Sequence, residues 1–332
     1  MIKIAINGFG RIGRLTFRAL QKSRVADVVA INDLTDNATL AHLLKYDTAH
    51  GMFDAKVSAG DDFIKVNSKK IAAFSERDPK KLPWKKMKVD VVIESTGVFR
   101  TAETAGYHIT AGAKKVVISA PAKGGGVKTI VQGINDDSLD KKDKIISNAS
   151  CTTNCLAPMV KVLDDALGIE HGFISTIHAY TSDQRIQDAP HSDLRRARAA
   201  AQNIIPTSTG AAAAIGLVLP HLQGKLDGMA MRVPTITGSI VDFTCVTKKT
   251  ADAAKINRLF KNAASKSLKG FLQYSEAPLV SSDIVGNPHS CIFDAPLTDV
   301  NGKQVKVVGW YDNEAGYSAR LADIAIKFAK TK

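Results

Sequence analysis

Of the four cysteines in the chain, at 151, 155, 245 and 291, Cys151 has the setting in which a thiol can act as a nucleophile. Ser147-Asn148-Ala149-Ser150-Cys151-Thr152-Thr153-Asn154-Cys155 reads as a strand end running into a helix, with Ser150 as N-cap. A thiol there feels the positive end of the helix dipole, which lowers its pKa and raises its thiolate fraction. Cys155, one turn deeper, is less favoured. The matching base is His178, near the end of a strand read at 172–180, where the chain leaves the sheet for a long loop. The residues also have plainer readings: a lone cysteine is commonly a small core residue, and His178 could be a satisfied structural histidine. His42, His50, His108, His171, His221 and His289 read as surface or core-edge residues, and His191 lies within the loop. Cys151 and Cys155 have no second close pair and no nearby His-x-x-x-His, so no zinc site and no disulfide framework is expected.

A second constellation binds rather than reacts. Asn7-Gly8-Phe9-Gly10-Arg11-Ile12-Gly13 holds G-x-G-x-x-G between a strand and a helix. Gly8 makes the tight turn, Gly10 lets the backbone approach a pyrophosphate, and Gly13 permits close helix packing, with helix N-terminal amides facing the phosphates. Asp33 ends the next strand, twenty positions past Gly13, where a carboxylate can accept from both adenosine ribose hydroxyls. That carboxylate would repel a 2′-phosphate and no Arg immediately follows it, which favours NAD over NADP.

Positioning these groups requires two domains, the prior for 332 residues. Strands at 3–6, 28–32, 90–94, 115–119 and 144–147, with helices at 11–23 and near 101–112, alternate as βαβ units do around a doubly wound parallel sheet. After Ser150 the rhythm changes to longer strands at 172–180, 226–233 and 239–247, suited to a mostly antiparallel sheet. The stretch 181–204 is polar, arginine-rich and aperiodic, a candidate active-site or interface loop. Ala211 to Leu219, the longest apolar run, reads as a buried helix, and 315–330 carries a helical stripe of Leu321, Ile324, Ala325 and Phe328.

No run approaches the roughly 20 apolar residues of a membrane span. The chain goes straight from Ile2-Lys3-Ile4-Ala5-Ile6 into the glycine turn, so no leader is expected and the expected compartment is the cytoplasm. The net charge of +13 is uneven, with 25 basic and 16 acidic residues before position 151, and it includes Lys80, Lys81, Lys85, Lys86 and Lys88. Trp84 is the only aromatic within that run, so it reads as a solvated surface rather than a nucleic-acid patch.

Residues 147–155 closely resemble the active-site signature of the phosphorylating glyceraldehyde-3-phosphate dehydrogenases. The resemblance extends in order through Asn7 to Arg14, Glu94-Ser95-Thr96-Gly97, Ser119-Ala120-Pro121-Ala122-Lys123, His178-Ala179-Tyr180-Thr181, Pro206-Thr207-Ser208-Thr209-Gly210, Met231-Arg232-Val233-Pro234-Thr235 and Tyr311-Asp312-Asn313-Glu314, essentially the whole chain. It implies a Rossmann-type NAD domain at 1–150, onto which helix 315–332 docks, and an α+β catalytic domain at 151–314 whose loop 181–204 makes subunit contacts in a homotetramer. It implies oxidation of glyceraldehyde 3-phosphate to 1,3-bisphosphoglycerate, through a hemithioacetal and a thioester on Cys151, with His178 as base. Thr181 and Arg232 would hold the substrate phosphate, and Ser150, Thr152, Arg196, Thr209 and Gly210 the attacking inorganic phosphate. Phe9, Gly10, Arg11 and Ile12 would meet the NAD pyrophosphate and Asp33 its adenosine ribose. Arg77, Thr96 and Phe99 would lie at its adenine end, and Ser119 and Asn313 at the nicotinamide.

This sequence departs from the family at Ala213, commonly Lys, which removes a positive charge near the phosphate region. It also departs at Ala315, often Trp or Thr, and at Ala189, often Leu. Two alternatives remain at this point: an erythrose-4-phosphate dehydrogenase that ends in hydrolysis, and a nucleic-acid-binding protein that uses the dinucleotide fold as scaffold.

Overall fold

The computed structural model describes residues 1–331, which fall into two compact units. The first comprises Met1–Ile130, Asp137–Ala149 and the chain from Ser318 onward; the second comprises Val131–Asp136 and Ser150–Tyr317. The segment Val131–Asp136, read from sequence as part of the first domain, thus groups with the second unit.

Unit 1 is built on one sheet of β1 (Ile2–Asn7), β2 (Ala26–Asn32), β3 (Val57–Gly60), β4 (Phe63–Val66), β5 (Lys69–Phe74), β6 (Val91–Glu94), β7 (Lys115–Ile118), β8 (Lys128–Thr129) and β9 (Ile145–Ser147). Its order is β3-β4-β5-β2-β1-β6-β7-β9-β8; the pairings from β5 to β8 are parallel and β3-β4-β5 is an antiparallel edge. β6 and β7 are buried at every position, which is why they read as unbroken apolar runs rather than as alternation. Chain order reverses at β1, flanked by β2 and β6, and ligands of doubly wound sheets bind beyond the carboxyl end of such a switch point.

The helices of this unit are α1 (Arg11–Leu20), α2 (Asn37–Lys45), α3 (Trp84–Met87), α4 (Ala102–Ala105) and α5 (Tyr107–Thr110). The single helix expected near 101–112 is two short ones joined at Gly106, the first opened by a capping box of Thr101 and Thr104.

Unit 2 holds α6 (Cys151–Leu167), β10 (Ile169–Ala179), β11 (Ile205–Ser208), α7 (Ala211–Val218), β12 (Leu226–Val233), β13 (Ser239–Thr247), α8 (Ala253–Ser265), β14 (Leu272–Ser275), β15 (Cys291–Asp294), β16 (Asp299–Asn301) and β17 (Gln304–Tyr311). The sheet runs β11-β12-β10-β13-β17-β15-β14 with β16 on β17, mixed but mostly antiparallel. Burial alternates strictly along β13, so one face of that strand packs inward. Phe260 of α8 stacks on Phe293 of β15 at 3.8 Å between ring centroids, within the core of this unit.

α7 is not buried all round as its composition suggested: Ala213 and Leu217, four positions apart, share an exposed stripe, with Leu217 60% exposed. α9 (Ala315–Lys330) buries Leu321, Ile324, Ala325 and Phe328 completely. Lys115 of β7 caps its end in unit 1, donating from Nζ to the carbonyls of Phe328 (2.7 Å) and Thr331 (2.9 Å), where the helix dipole favours a cation. Residues 181–204 hold no helix or strand, only an isolated bridge between Arg185 and Ala199.

Candidate active site

The glycine turn of unit 1 separates packing from binding. Gly8 lies at φ +90°, and a Cβ there would stand 2.6 Å from the Ser95 backbone; a Cβ on Gly13 would stand 2.2 Å from the Gly8 carbonyl oxygen. Gly10 is different: a Cβ there would meet nothing within 4 Å. The space above Gly10 is therefore not demanded by the protein's own packing, and it lies where a pyrophosphate would approach the start of α1, which has no side-chain cap. Asp33 anchors this turn, accepting from the Phe9 amide at 2.7 Å and, through its other oxygen, from the Thr35 amide at 3.0 Å. The Phe9 ring is committed to the core, edge-on to Phe17 at 5.7 Å, so only its backbone can serve a ligand. Arg11 is paired with Asp47 at 2.7 Å. These features fit NAD: an open approach at Gly10, a helix start without a side-chain cap and a carboxylate at the end of β2.

Beneath the turn lies a buried polar network that sequence reasoning missed. The Glu94 carboxylate accepts from Asn7 Nδ2 (2.6 Å), the Thr96 amide (2.9 Å) and the Thr96 hydroxyl (2.5 Å). Trp84 Nε1 can only donate, so the 3.0 Å contact makes His108 Nδ1 the acceptor. His108 Nε2 then carries the proton and donates to Glu94 at 2.9 Å. His108, read from sequence as a surface or core-edge residue, is wholly buried. Thr96 spends its hydroxyl on Glu94 and on the Val98 amide, and Phe99 packs against the rings of Tyr107 and His108. Arg77 is exposed, and Ser119 follows β7, its amide bonded to the Glu94 carbonyl. The only signals for this network were the order Glu94-Ser95-Thr96-Gly97 and a histidine one helix later.

The chain approaches α6 of unit 2 through Ala149, a non-glycine residue at φ +54°, a conformation that costs roughly 1–2 kcal/mol and is typical of functional turns. Ser150 caps the helix, accepting from the Thr153 amide at 3.1 Å. This sets Cys151 in the first turn, its Sγ 3.4 Å from His178 Nε2 at the end of β10. His178 Nδ1 lies 2.6 Å from the Ala179 carbonyl, which can only accept. Nδ1 also lies 2.9 Å from Arg232 Nη1, which can only donate, but both Nη1 protons are directed to the Ala179 carbonyl and the Thr181 hydroxyl, so the shorter carbonyl contact decides: the proton sits on Nδ1, and Nε2 presents its lone pair to the thiol.

Arg232 of β12 pairs in register with His178, and its Nη1 donates to the Ala179 carbonyl (3.1 Å) and the Thr181 hydroxyl (3.2 Å). Burial, reinforced by the Arg232 charge, pushes His178 down to about 3, so the imidazole is neutral at working pH. Burial also pushes the Cys151 thiol up, against the opposing pull of Arg232, the Thr152 hydroxyl and the backbone amides of Thr152 and Cys151. The lowered thiol pKa expected from the helix terminus is thus not what the site shows, because desolvation outweighs the dipole. Tyr311, unnoticed beside Asn313 in its motif, supports the pair from below. Its buried hydroxyl lies 2.8 Å from both Thr152 Oγ1 and Thr176 Oγ1, and its ring meets His178 edge-on at 5.9 Å.

The expected anion ligands divide by what they can offer. Thr152 is buried with its hydroxyl on Tyr311, which leaves its backbone amide, in the first turn of α6, as the group it can offer an anion. Gly210 opens α7 with nothing within 4 Å of a Cβ, and Thr209 is half-buried beside it, its hydroxyl accepting from the Ala211 amide. Arg196 donates to Thr207 Oγ1 (2.9 Å) and forms an ion pair with Asp183 (2.5 Å). Asn313 accepts through Oδ1 from the Gly238 amide (3.1 Å) and the Ser239 hydroxyl (2.9 Å), which fixes the amide and leaves Nδ2 as the donor it can give.

A glycine turn fit for a nucleotide and a cysteine–histidine pair beside arginine and threonine are the features of a nucleotide-dependent oxidoreductase. Residues 2–102 match the glyceraldehyde 3-phosphate dehydrogenase NAD binding domain and residues 150–313 the C-terminal domain of the same family. The chain is 58% identical over 337 residues to the glyceraldehyde-3-phosphate dehydrogenase of Mycobacterium avium and 57% identical over 338 residues to that of Mycolicibacterium smegmatis, in each case across 99% of both chains. It is 56% identical over 326 residues to glyceraldehyde-3-phosphate dehydrogenase 2 of Streptomyces arenae, across 98% of this chain and 97% of that one. The chain belongs to the glyceraldehyde-3-phosphate dehydrogenase family, whose cofactor is NAD.

Proposed function

We propose that the protein oxidises D-glyceraldehyde 3-phosphate and conserves the oxidation as an acyl phosphate, 1,3-bisphosphoglycerate. The observation that carries this is Cys151 Sγ facing the bare Nε2 of His178 at 3.4 Å, with Arg232 and Thr181 bonded beside the pair. His178 Nε2 takes the thiol proton as sulfur attacks the aldehyde carbon, and returns it to the oxygen of the hemithioacetal. It then takes the hydroxyl proton as that carbon is oxidised to a thioester. NAD, when bound, supplies the hydride acceptor. Phosphate attack on the thioester releases the acyl phosphate, and His178 returns the proton to sulfur. Thr181 and Arg232 orient the substrate phosphate; Arg196, Ser150, Thr209 and the amides of Thr152 and Gly210 orient the attacking one. Gly10, Arg11, Ile12 and the Phe9 backbone receive the pyrophosphate and Asp33 the ribose, with Arg77, Thr96 and Phe99 at the adenine and Ser119 and Asn313 at the nicotinamide. In this reading unit 1 is the cofactor domain and unit 2 the catalytic domain.

NADH absorbance should rise with glyceraldehyde 3-phosphate and NAD only when inorganic phosphate is present, and far more slowly with NADP. Turnover indifferent to phosphate, with a free acid as product, would instead identify the hydrolytic erythrose-4-phosphate type. Retention on DNA or RNA with a steep salt dependence and no dehydrogenase activity would favour the nucleic-acid reading.

The same reading makes the protein a cytoplasmic homotetramer. All four cysteines are free thiols, as a reducing compartment maintains, and cell fractionation tests the location. Ile186, Leu194 and Ile204 of the loop are 86%, 81% and 68% exposed, apolar surface suited to a subunit contact. Light scattering should give four times the protomer mass; a monomer would remove the interface role of the loop.

A further inference from the structure

The residues assigned to the two phosphate positions are joined by a carboxylate that no motif marks. The Thr181 hydroxyl donates to Asp183 Oδ1, and Arg196 Nη1 donates to Asp183 Oδ2 at 2.5 Å. Since Arg232 Nη1 donates to Thr181 Oγ1 at 3.2 Å, one chain of contacts runs Arg232–Thr181–Asp183–Arg196. Asp183 therefore bridges the threonine and arginine of the substrate-phosphate position to the arginine of the attacking-phosphate position.

We propose that Asp183 is an exchangeable internal anion, which occupies these donors until a phosphate displaces it and thereby sets the affinity of the site for phosphate. The proposal rests on the phosphate roles of Thr181, Arg196 and Arg232 given above. The single hydroxyl proton of Thr181 goes to Asp183, and one of the two Nη1 protons of Arg196 is directed to it, so an incoming phosphate must compete with the carboxylate for the threonine proton and for the charge of Arg196. The rest of Arg196 is anchored, through Nε to Thr207 Oγ1 at 2.9 Å and Nη2 to the Ser208 carbonyl at 3.4 Å, so it is the carboxylate that must yield.

Its neighbour Asp193 is tied differently. Asp193 accepts from Thr207 Oγ1 at 2.7 Å and from the Arg195 amide at 2.9 Å, which makes it part of the loop's own framework. The Asp183 side chain, by contrast, is 44% exposed, and among the described residues its side-chain hydrogen-bond partners are Thr181 and Arg196. Burial raises its carboxyl, but the Thr181 hydroxyl and the charges of Arg232 and Arg196 outweigh this and hold it below the usual range, so the competing anion is charged at working pH. An internal carboxylate in a phosphate site favours ligands that bring more charge than it does, which selects phosphate dianions over monoanions.

Steady-state kinetics of Asp183→Asn test the proposal. The KM for inorganic phosphate should fall about three- to tenfold, and sulfate should inhibit correspondingly more strongly. The KM for glyceraldehyde 3-phosphate should fall less, because only the Thr181 hydroxyl is released. Asp183→Glu retains the charge and should keep phosphate KM within twofold of the parent; if Asp183→Asn does not fold, Asp183→Ser replaces it. Arg196→Gln is the control for the underlying reading. If it leaves phosphate KM unchanged, the phosphate assignment itself is wrong. If it raises phosphate KM while the uncharged Asp183 variants leave it unchanged or higher, the assignment stands and the role of Asp183 is overturned. A fall in Asp183→Glu equal to that in Asp183→Asn would also overturn it, since loop geometry rather than charge would then be responsible.

Discussion

Cys151→Ser should lower turnover roughly 10⁴- to 10⁶-fold, the scale on which enzymes lose activity when a covalent nucleophile is removed. The reason lies in the proton balance of the site. His178, with a pKa pushed down to about 3 by burial and then by Arg232, is a weak base. It can share a thiol proton across 3.4 Å as sulfur attacks, but an alcohol holds its proton much more tightly. The serine would still sit in the first turn of α6 behind the Ser150 cap, so the fold should be unaffected and the thermal midpoint unchanged within a few degrees. Turnover measured by NADH formation checks this, alongside a thermal melt. A variant that retained more than a tenth of the parent rate would place the nucleophile elsewhere.

His178→Asn should cost about 10²- to 10⁴-fold in kcat, the usual contribution of a positioned base, with KM for the aldehyde little changed. Asn can reproduce a hydrogen bond to the Ala179 carbonyl but offers no basic lone pair to Cys151. The same variant tests the ionisation state. In the fold His178 is neutral down to about pH 3, whereas in the unfolded chain it protonates near its ordinary value of 6.5. Between these limits the unfolded state binds the extra proton, so the contribution of His178 to stability is full above about pH 6.5 and lost as pH falls toward 3. Chemical denaturation across that window should show a shallower acid decline for His178→Asn than for the parent. Identical slopes would mean that His178 is charged in the native site. Tyr311 bears on both experiments, because its hydroxyl braces Thr152 and Thr176 while its ring supports the imidazole.

What sequence reasoning could and could not reach follows from the range over which each signal acts. The glycine turn was legible because its three glycines fall within six residues, with Gly8 and Gly13 answering local demands on φ or space and Gly10 leaving the approach to the helix start open. Ser150 was legible as a cap for the same reason, as were the apolar strands of the parallel sheet and the stripe of α9. His108 was misread because its burial depends on Trp84, 24 positions earlier, and on Glu94 at the end of a neighbouring strand. The run 211–219 was misread because composition does not say which face of a helix another element covers. Asp183 escaped notice because Arg196, its ion-pair partner, is brought back to it by a loop without periodicity.

By itself the sequence determined the family, the nucleotide-binding turn and the identity of the residues able to do the chemistry, since these are recorded in residue type and short spacing. Only the tertiary structure decided their state: which nitrogen of His178 faces the thiol, that burial pushes the Cys151 thiol up, and that a carboxylate joins the arginines assigned to phosphate. Those properties arise from desolvation and from charges brought within a few ångströms by β10, β12 and the loop between residues 181 and 204, and no spacing along the chain records them.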